Sequence, residues 1–262
     1  MKIQKMNSMK NVLVLGLLLT FLSGCGAKQP AQQEVGMGII PPTKPVSEYV
    51  HSDIVYPIDA YDPWEGFNRN MYVFNYYFDK YLFLPVVGGY AWIMPDYCED
   101  RISGIFKNFG EIRNFMNNLL QLKFKATAVT TGRFLVNSTV GLLGMYDPAS
   151  HWGMTRYKED FGQTLGHYGV GAGPYLVLPV MGPSTLRDTT GLAVDAVVRS
   201  EVLDWALDDV DNKTKVRLGI DVMEAIDARH RVGFRYYQSG SPFEYDLVRM
   251  LFLEKRKMDI AK

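Results

Sequence analysis

Residues 161–186 carry no Asp, Glu, Lys or Arg, yet Pro174, Pro179, Pro183 and six glycines forbid a continuous helix through them. Uncharged, irregular backbone is tolerated at membrane depth only where protein buries it or where it lines a cavity. Residues 168–179 are therefore expected as a re-entrant loop or a short hairpin placed inside the molecule. An ordinary buried connection is the competing reading, although loops normally run over the surface. Hydrophobic residues are 47% of the chain and charged residues 21%, which excludes a wholly disordered polypeptide. The 28 basic and 28 acidic residues cancel, leaving no broad basic face for nucleic acid. Two cysteines are too few for a disulfide framework or a multi-thiolate metal site.

The rest of the pattern reads as helix, so the expected class is all-α with this hairpin-like segment as the exception. Asp62-Pro63-Trp64-Glu65 has the form of a capping box, with Asp62 as N-cap and Pro63 at the first helical position. The helix it opens is expected to run to Leu84, where Pro85 should stop it. Trp64, Phe67, Met71, Phe74, Phe78 and Tyr81 share one side, and Tyr72, Val73, Tyr76 and Tyr77 cover most of the rest. Only Asn68, Asn75 and Asp79 make a narrow polar line. A helix apolar nearly all round is either buried in a core or faces lipid, and both readings stand.

Residues 97–122 look more conventionally amphipathic, with Ile102, Ile105, Phe109, Ile112, Met116 and Leu119 at spacings of three or four and a break or kink at Gly110. Further helices are expected over residues 125–139, 185–199, 201–208 and 213–237. Ser241-Pro242-Phe243-Glu244 should open the last one through a second capping box. Glu99-Asp100 and Glu159-Asp160 read as solvated helix ends, and Asn212 as an N-cap preceded by Asp208, Asp209 and Asp211.

The first 25 residues combine Lys2, Lys5 and Lys10, an apolar run over residues 12–22, and Leu22-Ser23-Gly24-Cys25, which resembles the bacterial lipobox. Residues 1–24 are then a lipoprotein signal peptide, and Cys25 receives diacylglycerol and an N-linked acyl chain such as palmitate. Gly26 in place of aspartate after that cysteine implies sorting to the outer membrane. Residues 25–61, rich in Pro, Gln, Gly and Lys, read as a lipidated flexible tether, and residues 62–262 as a single helical domain. Cys98 reads as a small buried apolar residue.

Catalytic patterns are missing from the chain. Gly169, Gly171 and Gly173 do not make a dinucleotide loop, because Pro174 follows where a helix should begin. There is no phosphate-binding G-x-x-x-x-G-K-[ST] and no G-x-S-x-G. His51, His151, His167 and His230 are far apart in sequence, and none stands in an H-E-x-x-H pair. His167 is the strongest catalytic candidate, with a structural histidine as the plainer reading.

Three stretches carry a family resemblance: residues 62–69 (Asp-Pro-Trp-Glu-Gly-Phe-Asn-Arg), residues 133–149 from Arg-Phe-Leu-Val-Asn-Ser-Thr to Asp-Pro-Ala, and residues 159–188 around Gly-His-Tyr-Gly-Val-Gly-Ala-Gly-Pro-Tyr. They resemble the VacJ/MlaA lipoproteins. The C-terminal region departs from the family pattern at Ser241-Pro242-Phe243 and over residues 251–256, which places any partner contact there in question. The resemblance implies a ring-shaped, monotopic helical protein in the inner leaflet of the outer membrane, facing the periplasm. It implies a central amphipathic channel, trimeric porins as neighbours, and phospholipids as cargo removed from the outer leaflet. They pass to the periplasmic carrier MlaC, which preserves lipid asymmetry with no bond broken and no cofactor. The headgroup path or gate is then expected at Asn68, Asn75, Tyr76, Asp79, Gly141, Gly144, Tyr168, Gly171, Gly173, Tyr175 and Leu176. The alternatives are a structural lipoprotein that scaffolds envelope proteins without moving lipid, and a lipid hydrolase using His151 or His167.

Overall fold

The computed structural model describes residues 43–45 and 62–262. The expected signal peptide, Cys25 and the tether apart from residues 43–45 lie outside the described residues. Within that short piece the Lys44 N–H donates to the Gly240 carbonyl at 2.8 Å.

The first long helical stretch is one unbroken run in three parts: α1 (Glu65–Phe78), a π-helical turn (Asp79–Phe83) and α2 (Leu84–Ile93). The expected stop at Pro85 does not occur. The preceding turn is wide, with the Leu84 N–H reaching Asp79 O, and Pro85 sits in the first turn of α2, where its missing N–H matters least. Asp62 does not cap α1 as a box either. Its carboxylate takes the Trp64 N–H at 3.2 Å and the Asn68 amide at 2.8 Å, and it is also held by Tyr245 and Arg249 from the last helix.

Helices α3 (Asp96–Leu120) and α4 (Phe124–Thr139) form an antiparallel pair, followed by the single turn α5 (Pro148–His151) and the short α6 (Phe161–His167). Gly110 neither breaks nor kinks α3 into two helices. A hairpin does form, but at residues 175–185 rather than within 168–179: strands β1 (Tyr175–Leu178) and β2 (Gly182–Thr185) are antiparallel, with Tyr175 opposite Thr185 and Leu178 opposite Gly182. Tyr175 and Val177 are fully buried, whereas residues 168–171 and the hairpin tip at Val180 and Met181 are exposed, so only part of the segment lies inside.

The two helices expected at 185–199 and 201–208 are one, α7 (Leu186–Ala206), opened by Thr185, whose hydroxyl accepts the Asp188 N–H. Helix α8 (Lys213–His230) ends earlier than expected, and α9 (Glu244–Ala261) closes the domain. Asn212 marks the start of α8 in a left-handed conformation, but its side chain makes no cap. Nor does the second capping box form. The Glu244 carboxylate takes the Tyr72 hydroxyl, the Tyr237 N–H and the Ser239 hydroxyl instead.

Packing is inverted relative to a water-soluble domain. Among the described residues 25 polar or charged side chains are buried against 10 hydrophobic ones, while Trp92, Trp205, Leu143, Ile93 and Met181 stand more than two thirds exposed. The apolar core is one small cluster of Tyr72, Tyr175, Val177 and Tyr245. Helix α3 shows the inversion best. Its fully buried residues are Glu99, Ser103, Asn108, Glu111, Asn114, Asn117 and Asn118, while Ile105 and Leu119 face out. The stripe Ile102 to Leu119 is thus not the buried face of α3: Ile105 and Leu119 are exposed, and Ile102, Phe109, Ile112 and Met116 are half-buried. Glu99 and Glu159, expected as solvated helix ends, are buried as well, Glu99 against His230 and Glu159 against Lys123. Among the described residues no helix is long and apolar enough to cross a membrane.

Candidate functional site

The polar interior consists of three linked constructions. In the first, Arg133 of α4 is fully buried and bridges Glu111 of α3 at 3.0 Å and Asp147 at 3.0 Å, while Arg156 meets the same Glu111 oxygen at 2.7 Å. Burial alone would raise the Asp147 carboxyl. Hydrogen bonds from Ser150 and Asn137, with the Arg133 charge, outweigh it and hold Asp147 well below the usual carboxylate range. Close backbone approach completes this packing: a Cβ on Gly104 would lie 2.2 Å from Gly144 O, and one on Gly141 would lie 2.5 Å from Tyr146 O.

The second construction holds the hairpin. The polar line of α1 does face inward, and its amides clamp backbone. Asn68 donates to Tyr175 O at 3.0 Å and accepts the Val177 N–H at 2.8 Å. Asn75, two helical turns on, repeats the pattern with Leu178 O at 2.9 Å and the Val180 N–H at 2.7 Å. Spacing of seven along the helix matches the rise of the strand beside it, so two asparagines serve four backbone groups. Asp79 continues the line into a two-pronged pair with Arg229 of α8, at 2.6 and 2.7 Å. Tyr76 is buried edge-on against Tyr77 and Tyr237. Of the other residues expected in the path, Tyr168 is exposed and donates to Leu120 O, Gly171 and Gly173 are exposed, and Leu176 is half-buried in β1.

The third is a cavity of about 440 Å³ between α3, α7, α8 and the connection at residues 156–158. Phe106, Phe109, Leu192 and Val202 supply an apolar wall. The same lining carries six cations, Lys107, Arg113, Arg156, Lys158, Arg199 and Arg231, and three carboxylates, Asp195, Glu224 and Asp227. Arg199 is paired with Asp221 and Glu224, and Arg231 with Asp227 and Asp100. Desolvation, aided by the charges of Arg231 and Arg156, sets the Lys107 ammonium below its ordinary value. A second cavity, of about 430 Å³, lies toward the α4–α5 connection and is lined by Gly144, Tyr146 and His151. Lys107 and Arg156 belong to both cavities. The volumes suit a small-molecule or lipid fragment.

Of the residues expected in the lipid path or gate, Gly144 alone lines either cavity. The cations that do line them come from four separate segments and share no local spacing, so no sequence motif announces them. His151 lines the second cavity without a carboxylate at ion-pair distance, and His167 is exposed with its ring against Tyr168. Cys98 is half-buried rather than buried. Among the described residues no group of three or more His, Cys, Asp or Glu is placed to hold a metal ion.

Fold and site together define a helical, inside-out protein with an amphipathic, cation-bearing cavity and a clamped hairpin beside its first helix. The chain belongs to the MlaA lipoprotein family, whose profile matches residues 60–259. An uncharacterized protein of Rickettsia conorii is 34% identical over 175 residues, 67% of either chain. The protein called "Intermembrane phospholipid transport system lipoprotein MlaA" in Haemophilus influenzae is 37% identical over 147 residues, 55% of this chain and 59% of that one. Its counterpart in Escherichia coli K12 is 38% identical over 151 residues, 55% and 58% of the two chains. The matches to these last two therefore span under two thirds of their lengths. A solved structure described as "Structural basis for maintenance of bacterial outer membrane lipid asymmetry" superposes with a TM-score of 0.62 at 29% identity, covering 77% of this chain and all of that one.

Proposed function

We propose that this chain is an outer-membrane lipoprotein that lets phospholipids leave the outer leaflet, as a component of an intermembrane phospholipid transport system. The observation that carries the reading is the inversion of packing around a cavity lined by both apolar and cationic side chains. An apolar exterior suits acyl chains, and the cavity gives a headgroup a polar route while the tails keep apolar contact. The names of the Haemophilus influenzae and Escherichia coli relatives support the same reading.

In this proposal Cys25 is acylated after removal of residues 1–24, and the protein sits in the inner leaflet facing the periplasm, with trimeric porins alongside. It releases lipid to the carrier MlaC, and no bond is broken. The hairpin with Tyr168, Gly171, Gly173, Tyr175 and Leu176 acts as the gate. Asn68 and Asn75 set its position, Tyr76 and Asp79 support it from behind, and Gly141 and Gly144 shape the second cavity. Cells lacking the protein are expected to expose phospholipid to a phospholipase added outside, and the purified full chain to carry co-extracted phospholipid. Unchanged outer-leaflet lipid would overturn the transport reading, and a lipid-free preparation would favour a scaffolding lipoprotein instead.

A further inference from the structure

Glu111, Asp221 and Asp100, just outside the lining, bring the carboxylates level with the six cations, but the pairing is uneven and leaves more cations than carboxylates without an ion pair. Arg156, Arg199 and Arg231 each have a carboxylate at ion-pair distance, but Lys107, Arg113 and Lys158 have none among the described residues. All three are exposed at the open side of the cavity, where like charges still repel one another and an anion of outside origin relieves that repulsion. Desolvation first, and the charges of Arg231 and Arg156 second, set the Lys107 ammonium below its ordinary value.

One turn before Lys107 on the same face of α3 lies Ser103. It is 1% exposed, lines the cavity, and its hydroxyl has no hydrogen-bond partner. Ten buried side-chain atoms lack a partner among the described residues, and Ser103 Oγ is the one of them at this cavity, where an incoming acceptor would pair it. Ser103 and Lys107 thus present an O–H and an ammonium together, and Arg156 adds a guanidinium from the facing connection. Because Lys107 and Arg156 border both cavities, anything passing between the two meets them.

We propose that Ser103, Lys107 and Arg156 bind the phosphate of a phospholipid headgroup at the junction of the two cavities, and that the excess of unpaired cations selects lipids of net negative headgroup charge. The acyl chains would lie along Phe106, Phe109, Leu192 and Val202. A zwitterionic headgroup brings a phosphate too, but its ammonium must enter a field already set by Lys107, Arg113 and Lys158, so it binds less well. This rests on the lipid-carrying function proposed above and specifies its cargo.

The test uses the full chain in detergent, exchanged with mixed micelles holding equal phosphatidylglycerol and phosphatidylcholine, with retained lipid read by native mass spectrometry. The wild type is expected to favour phosphatidylglycerol by about tenfold, the ratio that 1.4 kcal/mol represents. Lys107→Gln should even the ratio, Lys107→Arg should keep it, and Ser103→Ala should lower it. Equal retention by the wild type, or an unchanged preference in folded Lys107→Gln, overturns the selectivity and leaves lipid carriage standing. Retention of neither lipid overturns both. Displacement of phosphatidylglycerol by millimolar glycerol phosphate identifies a free-phosphate site and also overturns it. Should Lys107→Gln lose its circular dichroism, salt decides with the wild type alone. The preference must fall as ionic strength rises, and a salt-independent preference overturns the charge argument.

Discussion

Arg133 illustrates what an inverted interior asks of one side chain. It is buried to 1% exposure among Glu111, Asp147, the Ser150 hydroxyl and the Met154 carbonyl, so every donor of its fork is engaged. Removing one partner of such a set leaves a buried charge uncompensated, at about 3–5 kcal/mol. Arg133→Leu is therefore expected to destabilise the folded chain on that scale, read as a lower denaturation midpoint by circular dichroism. A wild-type midpoint would show that Arg156 alone suffices for Glu111. Asp147 carries a pH dependence with a definite sign. Its carboxylate is more favoured folded than unfolded, so its stabilisation is present above the unfolded carboxylate value of about 4 and lost as pH falls through the lower folded value. Asp160, where burial is outweighed by the Arg256 pair, titrates in the same sense. Thermal stability is thus expected to drop on acidification below about pH 4, and Asp147→Asn to flatten that drop while lowering stability at neutral pH. The identity of these ion pairs was not legible in the sequence. Arg133 lies 22 positions from Glu111 and 14 from Asp147, and the α3–α4 turn and the α4–α5 connection are both needed to bring the three together.

At the scale of elements, the hairpin depends on α1 more than on its own two short strands. Two four-residue strands alone are marginal in water. Asn68 and Asn75 offset this by holding both ends of β1 and the start of its turn. Asn75→Ala leaves the Val180 N–H without its partner and takes one donor from the Leu178 carbonyl, a loss of about 1–3 kcal/mol confined to the hairpin tip. Hydrogen exchange at Val180 should accelerate while exchange in α3 and α4 stays slow; uniform acceleration would mean that the clamp supports the whole fold. Helices α6 and α7 cross so closely that a Cβ on Gly191 would lie 2.2 Å from the Gly162 nitrogen. Gly191→Ala is expected to lower stability by about 1–3 kcal/mol, the usual cost of overpacking. A wild-type melting temperature would show that the crossing yields. The narrow Asn68, Asn75 and Asp79 line was readable because polar residues are scarce on α1. Helix α3 was not, for a physical reason: periodicity divides a helix into two faces but does not say which of them is inside. That sign depends on the medium outside, and the stripe Ile102 to Leu119 reads equally well either way.

For the whole molecule, the inversion becomes a statement about the surrounding phase. The sequence holds four tryptophans, and none of them is buried: Trp64, Trp92, Trp152 and Trp205 are 42%, 87%, 60% and 82% exposed. Indole rings this exposed give water nothing it favours, but an apolar body with one polar N–H suits the boundary of a bilayer. They sit just before α1, on α2, just after α5 and near the end of α7, so together they sample most of the chain's described length. In detergent-free buffer the full chain is expected to associate through its apolar exterior, because exposed apolar area of this extent marks an interface. On transfer to phospholipid nanodiscs its tryptophan emission should shift to the blue, and lipids brominated on their acyl chains should quench it. Phenylalanine at Trp92 and Trp205 should remove most of that quenching, while substitution at Trp64, the least exposed, should remove least. Emission that stays at the wavelength of a water-exposed indole, unquenched in the bilayer, would mean that a protein partner rather than lipid covers this surface. The interior would then be polar for packing alone, and the cation-bearing cavity would need an occupant other than a headgroup.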